Sequence, residues 1–195
     1  MTIWTGYSGH RKSMLLGQVV IGLMAQGSPC CIASLEMKPH KVLKRMARQY
    51  LAVDEPTLPY LDDMFDWFAG KLWFYDQVGT VDPKRMIAVS RYAITELGIE
   101  HVVIDSLMKC GIDEDDYNKQ KWFVDELHTL AKDTDAHIHL VSHQKKPHDS
   151  KEYEPGEKYG VAGSGNITNQ PENVLVVYWN KKKEDEKRKA EQAGE

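Results

Sequence analysis

"TGYSGHRKS", Thr5 to Ser13, follows directly on the apolar start Met1-Thr2-Ile3-Trp4 and decides how the rest of the chain is read. Gly6, Lys12 and Ser13 occupy their places in the pattern Gly-x-x-x-x-Gly-Lys-Ser, while Arg11 stands where that pattern has its second glycine. The pattern carries chemistry for a physical reason. Backbone N–H groups at a helix N-terminus converge on phosphate oxygens, the lysine reaches the terminal phosphates and the hydroxyl holds Mg2+. On this reading Gly6, Ser8, Gly9, His10, Arg11, Lys12, Ser13 and Met14 surround a nucleotide, and Ser13 is also a metal ligand. The competing reading is a polar turn of similar composition. Glycine before the lysine lets the backbone press against phosphate at angles that a Cβ resists. Arginine there predicts a strained loop, and it adds a cation that can itself reach phosphate.

The segments that follow alternate between short apolar runs and longer amphipathic ones. Residues 3–5 read as a strand fragment, 12–25 as a helix and "CCIASL", 30–35, as a strand ended by Glu36. "HKVLKRMARQYLA" places Val42, Leu43, Met46 and Tyr50 on one helical face, and "TLPYLDDMFDWFAG" is a second short helix closed by Gly70. "KLWFYDQ" reads as a strand, and "DPKRMIAVSRYAITELGI" as a helix with Asp82 as N-cap and Pro83 in its first position. "HVVID", "HIHLVSH" and "NVLVVYW" are further strands, the first two separated by the helical stretch "YNKQKWFVDELHTLAKDT".

Strands joined by helices of ten or more residues imply parallel crossovers, hence an α/β fold of three layers around a mainly parallel central sheet. In such sheets ligands lie beyond the carboxyl ends of the strands. That rule selects residues 6–13, Glu36, Asp105 and His143, each directly after an apolar run.

Composition sets bounds on partners. With 195 residues, 42% of them hydrophobic, the chain can bury the core of one domain of common size. A net charge of -4 argues against a general coating of nucleic acid and confines any polyanion contact to a local basic loop. Cys30, Cys31 and Cys110 form neither a disulfide framework nor a metal-ligand spacing, so they read as reduced thiols of a cytosolic protein. The eight histidines are scattered, without metal-ligand pairing. No apolar stretch reaches the roughly 20 residues of a membrane span, and no secretory signal is present.

Each candidate has an ordinary alternative. Asp105 can orient magnesium beside Ser13, or merely cap a turn; both motifs on separate strands of one parallel sheet favour the first reading. Glu36 can activate the water that attacks a γ-phosphate, or be a surface glutamate. His143 and Gln144 can contact the γ-phosphate, or be solvated turn residues. Residues 108–116 and 144–165 are long irregular segments, which are often functional in a compact domain. In the second, Lys145, Lys146, Lys151 and Lys158, with Gly163 and Ser164, can grip a phosphate backbone. Residues 181–195 lack large apolar side chains and read as a solvated helix or a disordered tail.

Taken together, "GYSGHRKS", "CCIASLEM", "HVVIDSLMKCG", "HLVSHQKKP" and "GSGNITNQPENVLVVYWNKKKE" resemble the RecA-like ATPase core of hexameric replicative DNA helicases, the group of bacterial and phage replicative helicases and mitochondrial Twinkle. The motifs occur in family order over nearly the whole chain, with residues 1–180 as the core and 181–195 as a charged tail. The resemblance implies a RecA-like P-loop fold, ATP and Mg2+ as cofactors, single-stranded DNA as partner, a homo-hexamer in the full-length protein, and the bacterial cytoplasm as location, phage-encoded proteins included. It makes Lys12 and Ser13 the phosphate and Mg2+ residues, Glu36 the catalytic carboxylate, Asp105 the second magnesium residue, His143 the γ-phosphate sensor with Gln144 beside it, and residues 145–165 a DNA-facing loop. Three departures stand out. Arg11 replaces glycine, the chain starts almost at the phosphate loop without the usual N-terminal primase-like or linker region, and it stops in the charged stretch after Trp179, whereas in the family a further strand bearing a trans-acting arginine finger follows; Trp179 itself stands where relatives often have arginine. The expectation is a helicase core truncated at both ends. The alternatives are a catalytically impaired nucleotide- or DNA-binding remnant and a recombination-type RecA-like ATPase.

Overall fold

The computed structural model describes residues 1–144 and 165–193. Six strands, β1 (Thr2–Thr5), β2 (Cys30–Ser34), β3 (Leu72–Phe74), β4 (His101–Asp105), β5 (His137–Val141) and β6 (Asn173–Val176), form one sheet in the order β3-β2-β4-β5-β1-β6. Every pairing in it is parallel. The helices are α1 (Lys12–Ala25), α2 (Pro39–Leu51), α3 (Leu58–Phe68), α4 (Pro83–Leu97), α5 (Tyr117–Thr134) and α6 (Lys181–Ala193).

Side-chain alternation along the strands divides the core into two. Ile3, Cys31, Ala33, Val102, Ile104, Ile138 and Leu140 pack against Met86 and Ile87 of α4 and Phe123, Val124 and Leu127 of α5. The alternate residues Trp4, Cys30, Ile32, Val103 and Val141 pack on Leu16, Val20 and Met24 of α1, Met46 of α2 and Phe68 of α3. The result is the three-layer arrangement that the sequence pattern implies. Near-continuous burial of β2 and β4 explains why these strands read as apolar runs, whereas β5 sets His137 and His139 alternately with apolar residues.

Local signals act as their chemistry dictates. Asp82 accepts hydrogen bonds from the Lys84 and Arg85 N–H groups at 2.9 and 3.2 Å, capping α4 ahead of Pro83. Four strands are shorter than the sequence pattern indicates, β2 by one residue, β5 by two, and β3 and β6 by more. The stretch 71–77 is extended only over Leu72–Phe74, where the edge strand β3 has β2 to pair with. The stretch 173–179 leaves the sheet after Val176. The Val177 N–H still reaches the Thr5 carbonyl at 2.7 Å, but the Trp179 N–H turns to His10 Nδ1 at 3.2 Å, so the chain crosses over the loop after β1. Within the charged tail, Lys181–Ala193 form α6, with Asn180 Oδ1 accepting from the Lys183 N–H at 3.0 Å. Among the described residues no helix is long and apolar enough to cross a membrane.

Candidate functional site

The sheet order sets the site. Between β1 and β4 lies β5, so the carboxyl ends of β1, β5, β4 and β2 open side by side and present residues 6–13, 142–144, Asp105 and Glu36 to one place.

The loop after β1 needs its glycines. Gly6 has φ 146° and its ideal Cβ would collide with the Val177 carbonyl; Gly9 has φ 80°. Both conformations are open to glycine and strained for any residue with a Cβ. Arg11 takes φ 58° without being glycine, at the N-cap position of α1, whose N-terminus has neither a side-chain cap nor an acidic residue in its first turn. The strain expected from the sequence is therefore a left-handed turn. The cation expected to reach phosphate lies elsewhere, 3.5 Å above the Trp179 ring and 2.9 Å from Glu184.

Lys12 is buried, and its ammonium donates to the carbonyls of Gly6 at 2.8 Å and Tyr7 at 3.0 Å, which curls it over the loop. Burial lowers its pKa, against the attraction of the Asp105 and Glu36 carboxylates. Ser13 Oγ donates to Asp105 Oδ2 at 2.5 Å. Asp105 is 6% exposed, and desolvation raises its pKa while the Ser13 hydrogen bond acts in the opposite direction. Ser34 lies opposite Asp105 in the strand register, and its buried Oγ has no hydrogen-bond partner among the described residues. Ser13, Ser34 and Asp105 all line a small cavity behind α1. Hard oxygen donors with one carboxylate suit Mg2+, which keeps several waters and takes its remaining ligands from phosphate. A helix N-terminus without its own anion, a buried ammonium and this oxygen set fit a magnesium nucleotide.

Glu36 forms the second half of the site. Its Oε1 accepts from Ser106 Oγ at 2.9 Å and lies 3.4 Å from His143 Nε2. The His143 contact, ahead of Ser106 and against desolvation, holds its pKa down to about 2. Held between Ser106 and His143, the carboxylate is placed to orient and polarise a water. The Gln144 N–H donates to the Gly6 carbonyl at 3.2 Å, which ties the chain after β5 to the loop after β1. Of the remaining predicted loop residues, Tyr7 packs edge-on against His10, whose ring also contacts Tyr178, while Ser8 is exposed and Met14 is 39% exposed. Lys145, Lys146, Lys151, Lys158, Gly163 and Ser164 lie outside the described residues.

Sequence reasoning passed over three features. Ser106, joined to Asp105 by a cis peptide, is signalled only by a hydroxyl next to a strand-end carboxylate. The Trp179–Glu184 contact with Arg11 joins positions 173 residues apart. His101, His137 and His139, read as scattered, cluster at the opposite end of the sheet with ring centroids 4.6 to 5.8 Å apart, His101 stacked on His139 and the other two pairs tilted. Among the described residues no group of histidines, cysteines and carboxylates is arranged to hold a metal. The Trp4 indole N–H donates to His139 Nδ1 at 3.2 Å, which leaves the His139 proton on Nε2, 3.2 Å from His101 Nδ1.

Comparison with known proteins agrees with this architecture. The AAA domain family model matches residues 1–149. A solved structure, described as an "ATPase Domain", superposes with a TM-score of 0.72 at 13% identity, over 89% of this chain and 67% of that one. Loop, strand order and family match together lead to one conclusion: the chain belongs to the AAA domain family and has the RecA-like ATPase fold.

Proposed function

We propose that this chain is the ATP-dependent motor domain of a replicative DNA helicase, coupling hydrolysis to translocation on single-stranded DNA in a homo-hexamer. The observation that carries the proposal is the convergence of Lys12, the Ser13–Asp105 pair and the Ser106–Glu36–His143 cluster at neighbouring strand ends. Lys12 and the N–H groups opening α1 bind the β- and γ-phosphates. Ser13 and Asp105 hold Mg2+, which supplies charge neutralisation on the phosphates when bound. Glu36 orients the attacking water. His143, bound to Glu36 and two residues past β5, links that water to the segment entering residues 145–165, which carries the DNA-facing lysines by resemblance. Gln144 couples the same segment to the phosphate loop through Gly6.

The test is ATP hydrolysis with and without single-stranded DNA, beside strand displacement from a forked duplex. Stimulation by DNA that Glu36→Gln abolishes supports the motor; hydrolysis indifferent to DNA, without displacement, moves the assignment to a recombination-type ATPase. The left-handed Arg11, with its guanidinium turned to Glu184, favours a second reading as a nucleotide-binding domain impaired in turnover. That reading predicts tight binding of Mg2+·ATP with hydrolysis at background.

A further inference from the structure

We propose that Trp179 and Glu184 are positioning residues of the nucleotide site: they hold Arg11 in the left-handed turn that glycine adopts unaided, so the segment after β6 sets the geometry of the loop. The inference rests on the reading of residues 6–13 as a phosphate loop.

The left-handed region is disfavoured for a residue with a Cβ by roughly five- to thirtyfold. Arg11 nevertheless occupies it, where α1 begins and where the N–H groups of the loop must point inward. Its side chain shows what opposes that preference. The guanidinium lies 3.5 Å above the Trp179 ring and pairs with Glu184 Oε1 at 2.9 Å, while the Trp179 indole N–H donates to Glu184 Oε2. Ring, carboxylate and guanidinium thus close a three-membered contact. Its base is fixed to the loop as well: the Trp179 N–H donates to His10 Nδ1 at 3.2 Å, and the Val177 carbonyl lies against Gly6. A cation–π contact and an exposed ion pair are each worth roughly two- to fivefold. Together they match the backbone preference they oppose. Losing either one lets the turn relax, and apparent affinity falls with the binding-competent fraction.

The measurement is the affinity of a fluorescent non-hydrolysable ATP analogue with Mg2+, for Trp179→Ala, Trp179→Phe and Glu184→Ala, each in the parent and in the Arg11→Gly background. In the parent, Trp179→Ala and Glu184→Ala each weaken binding roughly two- to fivefold, the latter less at high salt. Trp179→Phe, which keeps a ring under the guanidinium, retains most of the affinity. In the Arg11→Gly background all three stay within about twofold of their reference, because glycine needs no holding. Weakening by Trp179→Ala that is equal in both backgrounds overturns the inference, as does no effect in the parent. Denaturant unfolding of the same variants supplies a readout without nucleotide: Trp179→Ala destabilises the parent more than the Arg11→Gly protein. If no variant binds nucleotide in a Lys12-dependent way, the phosphate-loop reading fails. If binding is Lys12-dependent but the two backgrounds respond alike, this inference alone fails.

Discussion

Lys12→Ala removes a buried ammonium that makes two hydrogen bonds, at 2.8 and 3.0 Å, to carbonyls of its own loop. The structure makes its effects on folding and on binding separable. For folding, two charge-assisted bonds of about 1.5–3 kcal/mol each are lost. Against this stands the release of a cation whose desolvation already lowers its pKa, a penalty of several kcal/mol per ion. The carbonyls are not stranded either, since Gly6 keeps the Gln144 N–H at 3.2 Å and Tyr7 the His10 N–H at 3.3 Å. Stability should therefore change by no more than about 2 kcal/mol, in either direction. Binding loses the net gain of a charged donor on the terminal phosphates, after the hydrogen bonds that the ammonium gives up to its own loop. A loss of about 1.5–3 kcal/mol corresponds to roughly 10- to 150-fold in affinity. Calorimetric titration of the variant with a non-hydrolysable ATP analogue and Mg2+, beside a denaturant melt, reads both quantities. A variant that folds and binds the analogue as tightly as the parent refutes the assignment of the loop.

Other expectations follow from the same geometry. Glu36→Gln keeps the shape of the side chain, so analogue binding should stay within a few-fold while any hydrolysis falls by about 10²–10⁴; equal turnover removes Glu36 from the chemistry. Because His143 and Ser106 hold the Glu36 pKa near 2, below its usual 4.5, the stability this carboxylate lends is present above about pH 4.5 and is lost only as pH falls through 2. An acid limb of the hydrolysis profile between pH 5 and 6, if it survives in proteins with an altered Glu36 partner, belongs to another group. His139 behaves in the opposite chemical sense: burial and the neighbouring His137 and His101 hold its pKa down to about 3, and that of His137 near 4, against 6.5 unfolded. The folded state keeps both neutral, so their contribution is intact above pH 6.5 and declines as pH falls toward 3, by up to about 1.4 kcal/mol per pH unit for the buried His139 and less for the partly solvated His137. His139→Asn, which can still accept from the Trp4 indole, should flatten the stability profile between pH 6 and 4; an unchanged slope contradicts the assignment.

What could be read from the sequence were the features encoded by near neighbours. Asp82-Pro83 announces the start of α4 because cap and φ restriction act within three residues. Glu36, Asp105 and His143 stand out because each follows an apolar run, and a parallel sheet brings such positions to one edge. The placement of β5 between β4 and β1 was not legible, since strand order depends on packing between distant segments. The same holds for the three histidines, which alternation puts on one face but only the β4–β5 register brings into contact. The early end of β6 reflects competition that no window of sequence shows: the Trp179 N–H goes to His10 rather than to a neighbouring strand. Arg11 was legible as a departure from the pattern, and its left-handed φ agrees with the strain expected there, but the partners of its guanidinium lie at the far end of the chain.

The central claim, that the strand-end cluster around Lys12, Ser13 and Asp105 binds a magnesium nucleotide, is tested most directly by titrating the full chain with a non-hydrolysable ATP analogue in the presence of Mg2+ and of a chelator. The geometry predicts a single saturable site, at least about tenfold tighter with Mg2+, with that advantage lost in Asp105→Asn because the carboxylate facing Ser13 is gone. Binding of equal strength with and without Mg2+, or an Asp105→Asn protein that keeps the full magnesium advantage, would contradict it.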